Sequence, residues 1–151
     1  MRRLMVNSGQ GNGSHRETHA ESAIPMDQSG VRDLVGYRSY LPDNVRGACS
    51  LGVGPQHLNR IGMLHGGIVS MLLDNCCGIA VRNSVGDIDA AVVTVSMAVN
   101  FIDSANEGLV TATGYVTGGG RSMKFAEGEL RDASGRLLAT CNATFKVFIK
   151  R

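Results

Sequence analysis

The chain has 151 residues, 43% of them apolar, with a formal net charge of +2 and no Trp. That length suits one domain with a real core, and scattered basic residues with only three Tyr and four Phe argue against a nucleic-acid stripe. No apolar run approaches the ~20 residues that span a bilayer, and Arg2-Arg3 heads no apolar stretch adequate for a signal peptide; a cytoplasmic protein with no membrane partner is expected.

In chain order, residues 1–30 are rich in Gly, Ser, Asn and charge without any period, and are expected to form a flexible N-terminal extension. His15 and His19 lie four apart there with no other ligand type nearby, so they read as part of a solvated tail and no metal is expected. The folded domain is expected over 34–150. Residues 34–41 read as a short strand or turn. Residues 45–53 alternate, with Val45, Gly47, Cys49, Leu51 and Val53 on one side, which predicts a strand with one buried face. A loop over 54–64 carries Pro55, His57, Asn59 and Gly62, and His57 is read as a loop residue.

A helix over 66–82 follows, apolar nearly all round and so buried on most sides. After a turn over 83–89, residues 91–101 predict a strand with Val93, Val95, Met97, Val99 and Phe101 on one face and Thr94, Ser96 and Asn100 on the other. Residues 109–117 are Thr-rich and β-prone, 118–120 form a glycine turn, and 122–131 alternate again. Asp132-Ala133-Ser134-Gly135 predicts a hairpin turn, and 137–149 alternates most cleanly of all. One or two strands, one long helix and four antiparallel strands make an α+β domain, a sheet of five to six strands wrapped around a single helix. Cys49, Cys76, Cys77 and Cys141 contain no CxxC pair and read as buried reduced thiols.

Two features carry chemistry. Asp74 is the only charged residue between Ile68 and Val81, and a carboxylate among apolar neighbours is costly to desolvate unless paired, wetted or used. His65-Gly66-Gly67 opens the helix, where backbone N–H groups are unpaired and carry partial positive charge. Glycine there lets a carbonyl approach closely. Helical spacing puts Gly67, Ser70, Asp74, Cys77 and Gly78 on one small-residue strip, opposite Ile68, Leu72 and Ile79. Gly118-Gly119-Gly120-Arg121-Ser122 reads either as an anion nest with a phosphate-binding Arg or as a plain hairpin turn.

Asn59, Gly62, His65-Gly66-Gly67 and Asp74 seven residues after Gly67 are followed by VVTVSMAVNFIDSA over 92–105 and GGGRSMKFAEGELRDASGRLLATCNATFKVF over 118–148. This combination resembles the PaaI-type acyl-CoA thioesterases of the hotdog fold. The resemblance implies hydrolysis of an aryl- or medium-chain acyl-CoA, with CoA as part of the substrate and no separate cofactor. It implies that Gly66 gives its N–H to the thioester carbonyl, that Asp74 is the catalytic carboxylate, and that Asn59 and His65 help place water and thioester. Thr94 falls where the family hydrogen-bonds the water, with Ser96 as the fallback on the same face. Gly120, Arg121 and Ser122 are the expected contacts to the CoA phosphates.

A carboxylate can act as general base or as nucleophile, and both stay open. Gly66 and Asp74 are eight residues apart, about 12 Å along one helix, yet both groups must lie about 3 Å from the reacting centre. A two-fold dimer would bring one chain's Asp74 opposite the other's Gly66. A homodimer, with a dimer of dimers as the further assembly, is therefore expected. The rival readings are a hotdog hydratase or dehydratase and a non-catalytic acyl-CoA-binding domain.

Overall fold

Alternating apolar residues turn most of the chain into one antiparallel sheet, and the long apolar segment becomes the helix it wraps. The computed structural model describes residues 22–23 and 28–148. Its elements are β1 (Ser22–Ala23), α1 (Gly30–Val35), β2 (Arg38–Leu41), β3 (Gly47–Val53), a 3-10 turn (Pro55–His57), α2 (Gly66–Ser84), β4 (Ala91–Phe101), β5 (Gly108–Gly119), β6 (Met123–Asp132) and β7 (Leu137–Phe148). The sheet order is β1-β2-β3-β5-β6-β7-β4, with every neighbouring pair antiparallel. This is the expected α+β architecture; apart from the two-residue β1, six strands surround one helix. The reading of residues 1–30 as an extension falls mostly outside the described residues, as do His15, His19 and Ile149. α1 begins at Gly30, ahead of the expected start of order near Leu34. No helix of the described residues is long and apolar enough to cross a membrane.

The helix α2 starts where expected and runs two residues further than the predicted Arg82, within the usual fraying of helix ends. Its nineteen residues span about 28 Å. Leu72, Leu73, Cys76 and Val81 are sealed against Leu51, Val110, Leu130 and Phe145 of the sheet, each Leu, Val or Phe side chain contributing roughly 1.5–3 kcal/mol.

Three glycines let the helix sit close. Gly47 pairs with Gly114, Gly114 with Gly128, and Gly128 with Cys141, a row across four strands. A Cβ on Gly114 would lie 2.7 Å from Cys77 N and 2.8 Å from Cys76 C. A Cβ on Gly47 would strike Cys76 O and Ala80 N, and one on Gly128 would lie 3.0 Å from Cys77 Sγ. The row is a furrow that receives the Cys76–Ala80 turn of α2. The small-residue strip read from the sequence accordingly divides. Cys77 and Gly78 are buried under the sheet, whereas Gly67 is exposed and Ser70 and Asp74 are half-buried.

The strand β4 departs from simple alternation. Its pairing with β7 shifts between Thr94 and Ser96, because Val95 forms a bulge. Thr94 stands opposite Phe145, whereas Ser96 stands opposite Thr144. Phe145 is core and Thr144 is not, so Val92, Thr94, Met97 and Val99 face the helix. The expected inward face is corrected accordingly: Val93 and Val95 are 49% and 57% exposed. An extra residue on one strand reverses the pleat beyond it.

The predicted hairpin turn forms between β6 and β7. Asp132 Oδ1 accepts from the N–H of Ser134 and of Arg136 and from Ser134 Oγ, and Oδ2 accepts from Arg136 Nε at 2.9 Å. These bonds, led by those from Ser134 and Arg136, pull the carboxyl from its ordinary 3.8 to about 2. A depressed folded-state value stabilises the turn above the unfolded value and loses that contribution as pH falls through the folded one. We expect the amides of Ser134 and Arg136 to lose hydrogen-exchange protection between pH 3.8 and about 2, and Asp132→Asn to be flat over that range. Equal protection across the range would remove this role.

Candidate active site

His65 is the N-cap of α2, with extended backbone (φ −63°, ψ 132°). Its Nδ1 accepts from Gly67 N–H at 2.9 Å, and its carbonyl accepts from Ile68 and Val69. That cap takes the second helical N–H and leaves the first: among the described residues Gly66 N–H meets no acceptor. The Gly66 carbonyl accepts from Ser70 Oγ at 2.9 Å. The Phe101 ring lies over this glycine, 3.3 Å from where a Cβ would stand. An unpaired N–H at a helix start beside an apolar ring can stabilise negative charge on an oxygen.

Asp74 is half-buried on the face of α2 that the sheet leaves open. Thr94 Oγ1 donates to Asp74 Oδ1 at 2.6 Å. The bulge makes this bond, since it turns Thr94 inward from the edge strand. Thr94 therefore holds the carboxylate itself, where the resemblance had it holding the water. Ser96 is no fallback, because the bulge puts it on the opposite face. Asp74 Oδ2 has no partner among the described residues.

Asn59 organises the loop before the helix. Its Oδ1 accepts from Ile61 N–H at 3.0 Å and Met63 N–H at 3.1 Å, and its backbone pairs with Met63 and Gly62. These bonds leave the side-chain NH₂ unused. His57 is the residue the sequence reading passed over. It is only 3% exposed; its Nδ1 accepts from Gly54 N–H, and its Nε2 donates to Val35 O at 2.8 Å. Its only sequence signal, a His in a Pro-containing loop, is common to exposed turns.

Within the single chain the predicted residues form three groups. Asn59, His65 and Gly66 gather at the start of α2, and Asp74 and Thr94 sit two turns along it. Gly120, Arg121 and Ser122 lie at the far end: Arg121 lines a cavity of about 440 Å³ with Ser84 and Val85 from the C-terminus of α2 and with Lys124 and Asp87.

A sequence profile described as the thioesterase superfamily matches residues 61–139, which include Gly66, Asp74 and Thr94. The chain belongs to the thioesterase superfamily. Human acyl-coenzyme A thioesterase 13 is 31% identical over 93 residues, covering 60% of this chain and 65% of that protein. The chain spans less than two thirds of the length of the curated relatives it matches, 59–65%. A thioesterase family protein from Silicibacter pomeroyi superposes with a TM-score of 0.71 at 30% identity, covering 81% of this chain and 91% of that one. The E. coli PaaI protein from the phenylacetic acid degradation operon shares the fold, with a TM-score of 0.71 at 17% identity over 81% of this chain and 86% of that one. The hotdog architecture and PaaI-type resemblance expected from the sequence thus hold for this superfamily member.

The cysteines of this thioesterase-superfamily chain supply no nucleophile. All four are buried thiols outside any disulfide. Burial pushes the Cys76 thiol up, and the bond with Cys77, followed by burial, pushes up that of Cys141. Such thiols stay protonated and inert.

Proposed function

We propose that the chain hydrolyses acyl-CoA thioesters to free acid and CoA at sites shared between two protomers. The observation that carries this reading is a carboxylate fixed at one oxygen by Thr94 and free at the other, on the same helix as an unpaired Gly66 N–H. A thioester carbonyl bound at Gly66 N–H becomes more electrophilic. Asp74 Oδ2 takes a proton from water as the water oxygen bonds to that carbon. The developing oxyanion rests on Gly66 N–H, the C–S bond then breaks, and the CoA sulfur recovers the proton from Asp74. Asn59, through its unused NH₂, and His65, through its Nε2 side, help orient water and thioester.

Two features favour sharing between protomers. The helical separation of Gly66 and Asp74 is one. The other is β4: eleven residues long, it ends the sheet and, among the described residues, pairs with β7 alone. Val93, Val95, Phe101 and Ile102 on and beside it are 49–59% exposed. An unpaired apolar edge suits strand-to-strand pairing with a second copy. The exposed Ile61, Met63, Phe101 and Ile102 around the helix start suit an aryl or medium-length acyl group. Arg121, with Gly120 and Ser122 and aided by Lys124, would take the CoA phosphates. The name of human acyl-coenzyme A thioesterase 13 supports CoA as the carrier.

The test is thiol release from a series of saturated acyl-CoAs. We expect turnover of the aryl or medium-chain members and no hydration of an enoyl-CoA. Water addition to the enoyl-CoA without thiol release would reverse the reading. Single turnover in oxygen-18 water is expected to leave the Asp74 peptide unlabelled; label there would make Asp74 the nucleophile.

A further inference from the structure

We infer that His57 is a positioning residue that fixes the oxyanion N–H of Gly66; the inference rests on the thioesterase reading above. A buried imidazole with both nitrogens engaged is a costly way to build a loop unless its placement matters. Gly54 N–H can only donate and Val35 C=O can only accept. The two bonds, 2.9 and 2.8 Å, therefore fix the ring as the Nε2–H tautomer. They tie it at one end to the 3-10 turn and at the other to the C-terminus of α1.

The backbone of the same residue reaches the site. His57 C=O accepts from His65 N–H at 2.9 Å, and its own N–H bonds Gly54 O at 2.9 Å. His65 is the cap whose carbonyl and ring set the first turn of α2, and the next N–H along is that of Gly66. The adjacent pair Leu58 and Leu64 forms a bridge, and Leu64 N–H bonds Ala105 O at 2.7 Å. The peptide before Gly66 is thus held from both sides, and the His57 side chain ties that frame back to α1. A displacement near 1 Å of a catalytic group can cost roughly 10²-fold in rate, so slack at His57 falls on kcat. His57 itself touches no substrate, so KM is spared.

The experiment compares wild type, His57→Phe, His57→Asn and His57→Gln in the full chain, with thiol release from the best saturated acyl-CoA and amide exchange at His65 as readouts. Phe fills the space without either bond. Asn keeps an acceptor for Gly54, and Gln keeps a donor for Val35. The expected result is a fall in kcat of roughly 10- to 100-fold for Phe with KM within about twofold. Faster exchange at His65 and partial recovery in Asn or Gln should accompany it. Wild-type kcat in folded His57→Phe, or a loss confined to KM, overturns the inference while leaving the thioesterase reading intact. If His57→Phe does not fold, His57→Asn decides: an intermediate kcat at unchanged KM supports the role, and wild-type kcat overturns it. Absence of thiol release by wild type on every acyl-CoA defeats the thioesterase reading and the positioning role with it.

Discussion

Asp74→Asn is expected to lower kcat on an acyl-CoA by roughly 10²- to 10⁴-fold, the usual worth of a positioned acid–base group, with thermal unfolding close to wild type. The side chain is half-buried on the open face of α2 and its amide can still accept from Thr94, so the fold loses little. A folded Asp74→Asn protein with wild-type kcat would remove the carboxylate from the mechanism. Gly66→Pro is the companion variant. Proline is tolerated at the first helical position, and the extended His65 backbone, ψ 132°, is what a residue before proline requires. The change deletes the N–H and is expected to cost about 10²–10³ in kcat. Mixing the two inactive variants by co-refolding is expected to restore about a quarter of wild-type activity: half of random dimers are mixed, and each mixed dimer has one intact site. A mixture as inactive as its components would rule out a site shared between protomers.

Gly114→Ala is expected to destabilise the fold by about 3 kcal/mol, the upper end of overpacking. The new Cβ would stand 2.7 Å from Cys77 N and 2.8 Å from Cys77 Cα. Helix backbone cannot swing away as a side chain would, so α2 or the sheet must move. Gly52→Ala in the neighbouring β3 is the control; nothing lies within 4 Å of its Cβ, and its effect is expected within about 0.5 kcal/mol. Denaturant midpoints of the two variants measure the difference. Equal midpoints would mean that the helix is not seated in the furrow.

Much of this was legible locally. Alternation along 47–53 and 137–148 needs only neighbouring residues, and so does the helix start at His65-Gly66-Gly67. Asp74 stood out because its neighbours along the chain are apolar. What the sequence hid depends on partners far along the chain. Gly47, Gly114 and Gly128 look like weak points in three separate strands until registry lines them up under α2. His57 finds its acceptor at Val35, twenty-two residues upstream, where no local pattern points. Val95 sits in VTVSM, which alternates faultlessly as text; only the count against β7 reveals the extra residue. The apolar setting of Asp74 was also overstated, since residues near it in sequence turn toward the sheet while it faces outward.

The bulge at Val95 acts as a parity switch. Strand faces are set by whether a position is odd or even from the last irregularity, so the half of β4 before Val95 keeps its facing only while that residue stays supernumerary. Drawing Val95 into regular pairing with β7 would straighten the strand and exchange Thr94 for Val93 at the helix. No functional side chain would be deleted, yet Asp74 would lose its hydroxyl partner. Sequence drift in the turn at 83–89 carries no such hazard, because a loop can absorb a residue without inverting the strand that follows.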